Sequence, residues 1–151
     1  MLIGVISDTH GLMRPEALAA LRGVEHILHA GDVGDIAILD ALLKIAPVTA
    51  IRGNVDTLGA CADLPATDVV ELGDKLFYLV HSVHDLDIDP VASGVAMVVS
   101  GHSHKASVKV QRGVVLFNPG SAGPRRFSLP VTVGFVTVED GVEASVMELA
   151  V

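Results

Sequence analysis

The chain has 151 residues, half of them hydrophobic, and a formal net charge of −8 from 18 acidic and ten basic side chains. That length supports one domain with a full core, and the lack of any basic run excludes a general nucleic-acid binder, which needs clustered Lys and Arg to neutralise phosphates. With no Trp, one Tyr and a single cysteine, Cys61, the core must come from Val, Leu, Ile and Ala, and no internal disulfide can form, which fits a reducing compartment. Residues 2–6 are apolar but too few, and too poor in flanking basic residues, for a signal peptide. No segment approaches the roughly 18 consecutive apolar residues of a membrane span, so a cytoplasmic protein without a membrane partner is expected.

Residues 2–7 (LIGVIS) form a short continuous apolar run, the pattern of a strand buried on both faces. Pro15 can open a helix across 16–21, stopped by Gly23. Residues 26–30 (HILHA) read as a second strand. Over 35–46, Ile36, Leu39, Leu42 and Leu43 recur at helical spacing until Pro47 ends the pattern. A third strand follows at 48–52. This β-α-β-α-β order predicts a parallel sheet with crossover helices.

The second half reads as antiparallel. Strands at 68–72 and 76–80 flank the turn signal Gly73-Asp74, strands at 108–111 and 114–117 flank Arg112-Gly113, and strands at 131–138 and 142–149 flank 139–141. Between them, a loop holding Asp85, Asp87 and Asp89 leads to Pro90, which is placed to begin one helical turn, and 95–100 is another buried-type strand. The expected architecture is a single α/β domain over 1–151, with two stacked sheets and helices outside.

Metal-ligand residue types stand in short packets after these strands: DTH at 8–10, GD at 31–32, GN at 53–54, His81, and GHSH at 101–104. In extended chain, residues i and i+2 project to one side, so Asp8 with His10, and His102 with His104, can each reach a common ion. Ligands in open α/β sheets bind beyond the carboxyl ends of the strands, where all these packets fall. Gly31, Gly53 and Gly101 each precede a candidate ligand, where a sharp turn or close approach is expected. Asp8, His10, Asp32, Asn54, His81, His102 and His104 are too many ligands for one ordinary ion. Carboxylate, imidazole and amide without thiolate suit Mn²⁺, Fe or Zn²⁺ at five- or six-coordinate sites.

These packets, together with NPGS at 118–121, resemble the calcineurin-like metallophosphoesterases, and within them the small single-domain phosphodiesterases of the YfcE type. The resemblance spans essentially the whole chain. It implies a four-layer α/β/β/α sandwich of two mixed β-sheets flanked by helices, with a dinuclear centre. One ion would be held by Asp8, His10, Asp32 and His104, and the other by Asp32, Asn54, His81 and His102, with Asp32 bridging. Mn²⁺ is the expected metal, and Ni, Fe, Zn, Co or Mg would suit the same ligands. The implied reaction is hydrolysis of a P–O bond in a small phosphodiester or nucleotide-like substrate by a hydroxide bridging the two ions, so Asp32 and Asn54 count as catalytic through the metals. The loaded centre would be cationic although the protein as a whole is acidic. The same family allows a non-catalytic metal-binding or protein-interaction scaffold of the retromer-subunit type, but the ligand set here is complete. Fold analogy also allows a homodimer.

The sequence departs from the family's larger members at Val55, where they carry a proton-donating histidine. A positioned acid is typically worth on the order of 10²–10⁴ in rate, so good leaving groups or a substitute donor are implied. His84 is the candidate substitute, offset by one residue from the family's usual spacing after His81. Asp56 is expected to hydrogen-bond a ligand imidazole, and Asn118 and Ser121 to support the site floor. Arg125-Arg126, the only adjacent basic pair, is a candidate phosphate contact. His26 and His29 read as structural, and Cys61 as an incidental residue of a polar loop.

Overall fold

In the computed structural model, which describes residues Met1–Val151, the apolar runs of the front half become three parallel strands. They are β1 (Leu2–Ile6), β2 (His26–His29) and β3 (Val48–Ala50), linked by helices α1 (Pro15–Ala20) and α2 (Ala37–Leu43). β4 (Thr67–Leu72) and β5 (Lys75–Val80) form a hairpin, and β6 (Val95–Val99) lies parallel to β5. β7 (Ser107–Gln111) pairs with β8 (Val114–Asn118), and β9 (Thr132–Val138) with β10 (Val142–Glu148). The resulting sheets have the orders β10-β9-β1-β2-β3 and β4-β5-β6-β8-β7, and both are mixed. β9 closes the first sheet by running antiparallel to β1, which brings the end of the chain back against its beginning.

Three apolar layers follow from the alternation of side chains along these strands. Ala17, Leu21, Ile38 and Leu42 from the helices pack on Ile6, Ile27 and Val133, covering the outer face of the first sheet. Ile3, Val5, Leu28 and Ile51 meet Phe77, Leu79, Met97, Val99 and Phe117 between the sheets. Tyr78, Val80, Val98 and Val114 line the outer face of the second sheet, where Leu86 and Ile88 cover them from a loop. Helices thus flank only the first sheet. Beyond the second, the outermost layer is reduced to a 3₁₀ turn at Val83–Asp85 and the loop that follows.

Some local expectations shift. The helix across 35–46 is regular only over Ala37–Leu43, because Asp35 accepts the Ala37 N–H with its side chain and so forms the turn that precedes it. Segment 90–94 closes as a turn rather than a helix. Asp89 Oδ1 accepts the Val91 and Ala92 N–H groups, and the Val95 N–H returns to the Pro90 carbonyl. Cys61 is not in an exposed polar loop. It lies in a 3₁₀ turn, Gly59–Asp63, and is buried in the helix-side core, where burial pushes its thiol pKa up. No helix is long and apolar enough to cross a membrane.

Candidate metal centre

The carboxyl ends of β1, β2, β3, β5 and β6 converge at one rim, where within each sheet the loops that follow neighbouring strands are stitched to one another. Asp8 N–H donates to the Gly31 carbonyl at 3.0 Å, His10 N–H to the Asp32 carbonyl at 2.9 Å, and Gly101 N–H to the His81 carbonyl at 2.9 Å. Asp8, His10 and His104 offer ligand atoms all within 4.8 Å of one another, and so do Asp8, Asp32 and His81. Asp8 Oδ1 is the common point, at 3.4 Å from His104 Nε2 and 3.8 Å from His10 Nε2 and His81 Nε2. Asp32 Oδ2 reaches both groups, at 3.1 Å from His81 Nε2 and 3.5 Å from His10 Nε2. The His102 ring stands edge-on to His81, its centroid 5.3 Å away.

Each carboxylate is oriented through its other oxygen. Asp8 Oδ2 accepts the Ser7 hydroxyl at 2.7 Å and the His102 N–H at 3.1 Å, and Asp32 Oδ1 accepts the Val55 N–H at 3.0 Å. His81 Nδ1 donates to the Ala30 carbonyl at 2.7 Å, which leaves Nε2 turned to the carboxylates. Asp8 Oδ1, His81 Nε2 and His104 Nδ1 are buried with no hydrogen-bond partner. Buried polar atoms without partners each cost on the order of 1–3 kcal/mol. A cation seated between Asp8 Oδ1 and His81 Nε2 removes that cost at those two atoms, whereas His104 turns its other nitrogen, Nε2, to the cluster. The hard and borderline donors suit divalent ions.

Titration behaviour agrees with a site short of positive charge. Burial raises the Asp8 pKa, even against the Ser7 hydroxyl and the histidines. At Asp32 burial acts the same way but is outweighed by His81 and the Val55 N–H, which bring the carboxyl down to about 2. Burial opposes protonation of His81, yet the Asp32 carboxylate and the Ala30 carbonyl prevail and raise its pKa. His104 is lowered by burial, and the nearby Arg126 charge adds to this.

Residues 1–141 match the family model for the calcineurin-like phosphoesterase superfamily domain. The chain belongs to that superfamily. A probable metallophosphoesterase of Methanocaldococcus jannaschii is 35% identical to this phosphoesterase domain over 162 residues, covering 99% of this chain and 82% of the relative. Among solved structures, an archaeal phosphodiesterase superposes with a TM-score of 0.80 at 23% identity, over 97% of this chain and 100% of that one. Entamoeba histolytica Vps29 complexed with zinc does so with a TM-score of 0.75 at 22% identity, over 98% and 99%. At such identities the structural matches bear on the fold alone. Family membership and the ligand cluster together support a metal-dependent phosphoesterase.

Within this calcineurin-like domain the sequence-derived residues divide. Asp8, His10, Asp32, His81 and His104 form the cluster, His102 adjoins it, and Asn54 lies on the same rim, lining a neighbouring cavity with His81. His84 is exposed on the Val83–Asp85 turn and shares a cavity with His102. Asp56 bonds no imidazole, contrary to expectation. Its carboxylate accepts the N–H groups of Val33, Gly34 and Gly53, pinning the Asp32 and Asn54 loops together. Asn118 donates to the Gly101 carbonyl and Ser103 Oγ, and Ser121 donates to the Asp8 carbonyl, so both brace the loops that carry ligands. Arg125 donates to the Leu129 and Val151 carbonyls, whereas the Arg126 charge contributes to lowering the His104 pKa.

Sequence reasoning missed Ser7, Thr9 and the role of His29. Thr9 donates its hydroxyl to the Val33 carbonyl at 2.9 Å, so His29 Nε2, 3.0 Å from the same oxygen, must be the donor to it. His29 Nδ1 then accepts the Gly31 N–H at 3.1 Å. One fully buried neutral imidazole thus ties the Asp8 loop to the Asp32 loop. The only signal for it was a histidine inside an apolar strand.

Proposed function

We propose that this protein is a metal-dependent phosphodiesterase that works with two divalent ions, Mn²⁺ foremost, on a small phosphodiester or nucleotide-like substrate. The observation that carries the reading is the pair of buried, unpartnered atoms Asp8 Oδ1 and His81 Nε2, 3.8 Å apart and beside the Asp32 carboxylate. Asp8, His10, His104 and Asp32 would hold one ion, and Asp32, His81, Asn54 and His102 the other. The position of Asp32 Oδ2 between His10 and His81 supports its bridging role. Divalent ions so held supply Lewis acidity and a water acidic enough to be deprotonated near neutral pH.

The chain's own residues do the rest. Ser7, the Val55 N–H and the Ala30 carbonyl fix the ligand atoms before substrate arrives, so little reorganisation accompanies charge development. The Arg126 charge, which contributes after burial to lowering His104, would add positive charge to the field an anionic ester meets. Val55 offers a backbone donor to Asp32 but no acid for a departing alkoxide, so esters with good leaving groups are favoured. His84, at the cavity beside His102, is the nearest substitute.

Metal-stripped protein assayed against bis(p-nitrophenyl) phosphate with stepwise Mn²⁺ or Ni²⁺ tests the reading, and p-nitrophenyl phosphate ranks diester against monoester cleavage. Metal-dependent turnover that disappears in Asp32→Ala and Asn54→Ala is expected. Metal binding without turnover of either ester would overturn it in favour of a non-catalytic scaffold.

A further inference from the structure

A second cavity-lining feature points to what the substrate carries besides the reacting phosphorus. Next to His102 lies a cavity of about 400 Å³, within the range of small-molecule sites. Its floor is the outward face of β7 and β8 at the end of the second sheet. Ser107 and Lys109 alternate along β7 and so project to one side, the register sets Ser107 opposite Asn118 and Lys109 opposite Leu116, and Lys105 joins them from the loop before β7. All five line the cavity, with His84 and His102 facing them from the loops after β5 and β6.

The charge distribution is what makes this more than a solvated surface. The chain has only four lysines, and two of them are here. None of the cavity's twelve lining residues is acidic, in a protein of net charge −8. The one lysine ion pair in the structure is Lys75 with Asp74, so neither Lys105 nor Lys109 is neutralised by a carboxylate. The acid that follows His84, Asp85, lines a different cavity with Asn54 and His81. Lysines act on phosphate as point charges on flexible stems, and serine hydroxyls add donors.

We propose that this cavity binds a second phosphate of the substrate, so that the preferred ester bears another phosphate on the arm lying across β7 and β8. The inference rests on the phosphodiesterase reading and narrows it to a substrate class. His102 belongs both to the metal-ligand set and to the cavity wall, so one molecule can occupy both places at once.

Two measurements on the metal-loaded full chain decide it. The first compares kcat/KM for the p-nitrophenyl ester of thymidine 5′-phosphate with and without a 3′-phosphate. The phosphorylated ester is expected to be preferred by about tenfold, through KM, as one additional charge-assisted contact would give. The preference should collapse toward unity in Lys105→Gln/Lys109→Gln and shrink with added salt. The second measures calorimetric binding of thymidine 3′,5′-bisphosphate against thymidine 5′-phosphate, with the same ratio and the same collapse expected. Equal handling of each pair by the unmodified protein, or a preference that survives the double substitution, overturns the proposal. If neither ester is cleaved, the phosphodiesterase reading falls, while the binding ratio still decides the cavity.

Discussion

His10 Nε2 and His104 Nε2 face each other at 3.3 Å, and Asp8 Oδ1 lies beside both. Only one of the two nitrogens can carry the proton between them, and Asp8 Oδ1 has no hydrogen bond at all. Without a cation the cluster therefore keeps Asp8 Oδ1 buried and without a donor. Asp8→Asn keeps the acceptor for Ser7 and His102 and puts an amide donor where the unpartnered oxygen lies. Metal-free Asp8→Asn should melt about 2–4 °C above the metal-free parent, for a gain of roughly 1 kcal/mol. The parent should gain stability on adding Mn²⁺ and the variant should gain less, since Asp8 belongs to only one of the two proposed sites. Scanning calorimetry of the four states checks both halves, and equal metal-induced stabilisation would refute the assignment of Asp8.

Gly101 is required by space rather than by backbone conformation. A Cβ there would overlap Ser7 Oγ and fall 2.5 Å from Asp8 Oδ2. Gly101→Ala must therefore push aside the carboxylate that three histidines surround, at an overpacking cost of about 1–3 kcal/mol. Loss of both stability and metal affinity is expected. Gly94→Ala provides the comparison, since its φ of +73° makes alanine costly although nothing lies within 4 Å. That variant should lose stability but keep metal affinity, as read by calorimetric titration with Mn²⁺.

Much of this was legible in the chain because each strand ends in a ligand packet, and strand ends in a parallel sheet lie at one edge. Leu2–Ile6 and Val95–Val99 announce themselves as apolar runs, and Asp8 and His102 follow two and three residues later. The support beneath the ligands was less visible. Asp56 looks like a partner for an imidazole, but its bonds to Val33, Gly34 and Gly53 depend on how three loops fold over one another. Arg125 and Arg126 are indistinguishable in sequence, and only the path of the loop gives one to the Val151 carbonyl. The 3₁₀ turns at Gly59–Asp63 and Val83–Asp85 are too short to show a period, so the burial of Cys61 and the placing of His84 escaped a reading based on patterns.

His29 sets a pH dependence of stability. It is fully buried, and desolvation lowers its pKa from 6.5 to about 4. Both nitrogens are used in the neutral form, so a second proton would stand against the Gly31 N–H. Between about pH 6.5 and pH 4 the unfolded chain binds a proton at this position that the fold refuses. Stability from this group is therefore lost as pH falls through that window, to a limit on the order of 3 kcal/mol. His29→Gln can still donate to Thr9 but cannot titrate. Urea unfolding of the chelated proteins at pH 7.5 and 5.0 should show the parent losing more stability than the variant. Parallel losses would show that His29 does not carry the effect.

Backbone strain at the ligands supplies the last expectation. Eight non-glycine residues have positive φ, and five of them are Asp8, His10, Asp32, His102 and His104. A left-handed residue with a side chain costs on the order of 1–2 kcal/mol, which persists at a site only where ligand placement requires it. His102 is exposed, with φ at +71°, so its backbone can be relieved without opening the core. His102→Gly and His102→Ala both remove the imidazole, but only glycine removes the strain. In the metal-free state the glycine variant should be more stable than the alanine variant by about 1 kcal/mol, and the two should show the same weakened metal binding. If they melt together, the left-handed conformation is not costly there. If either variant binds metal like the parent, His102 is not a ligand.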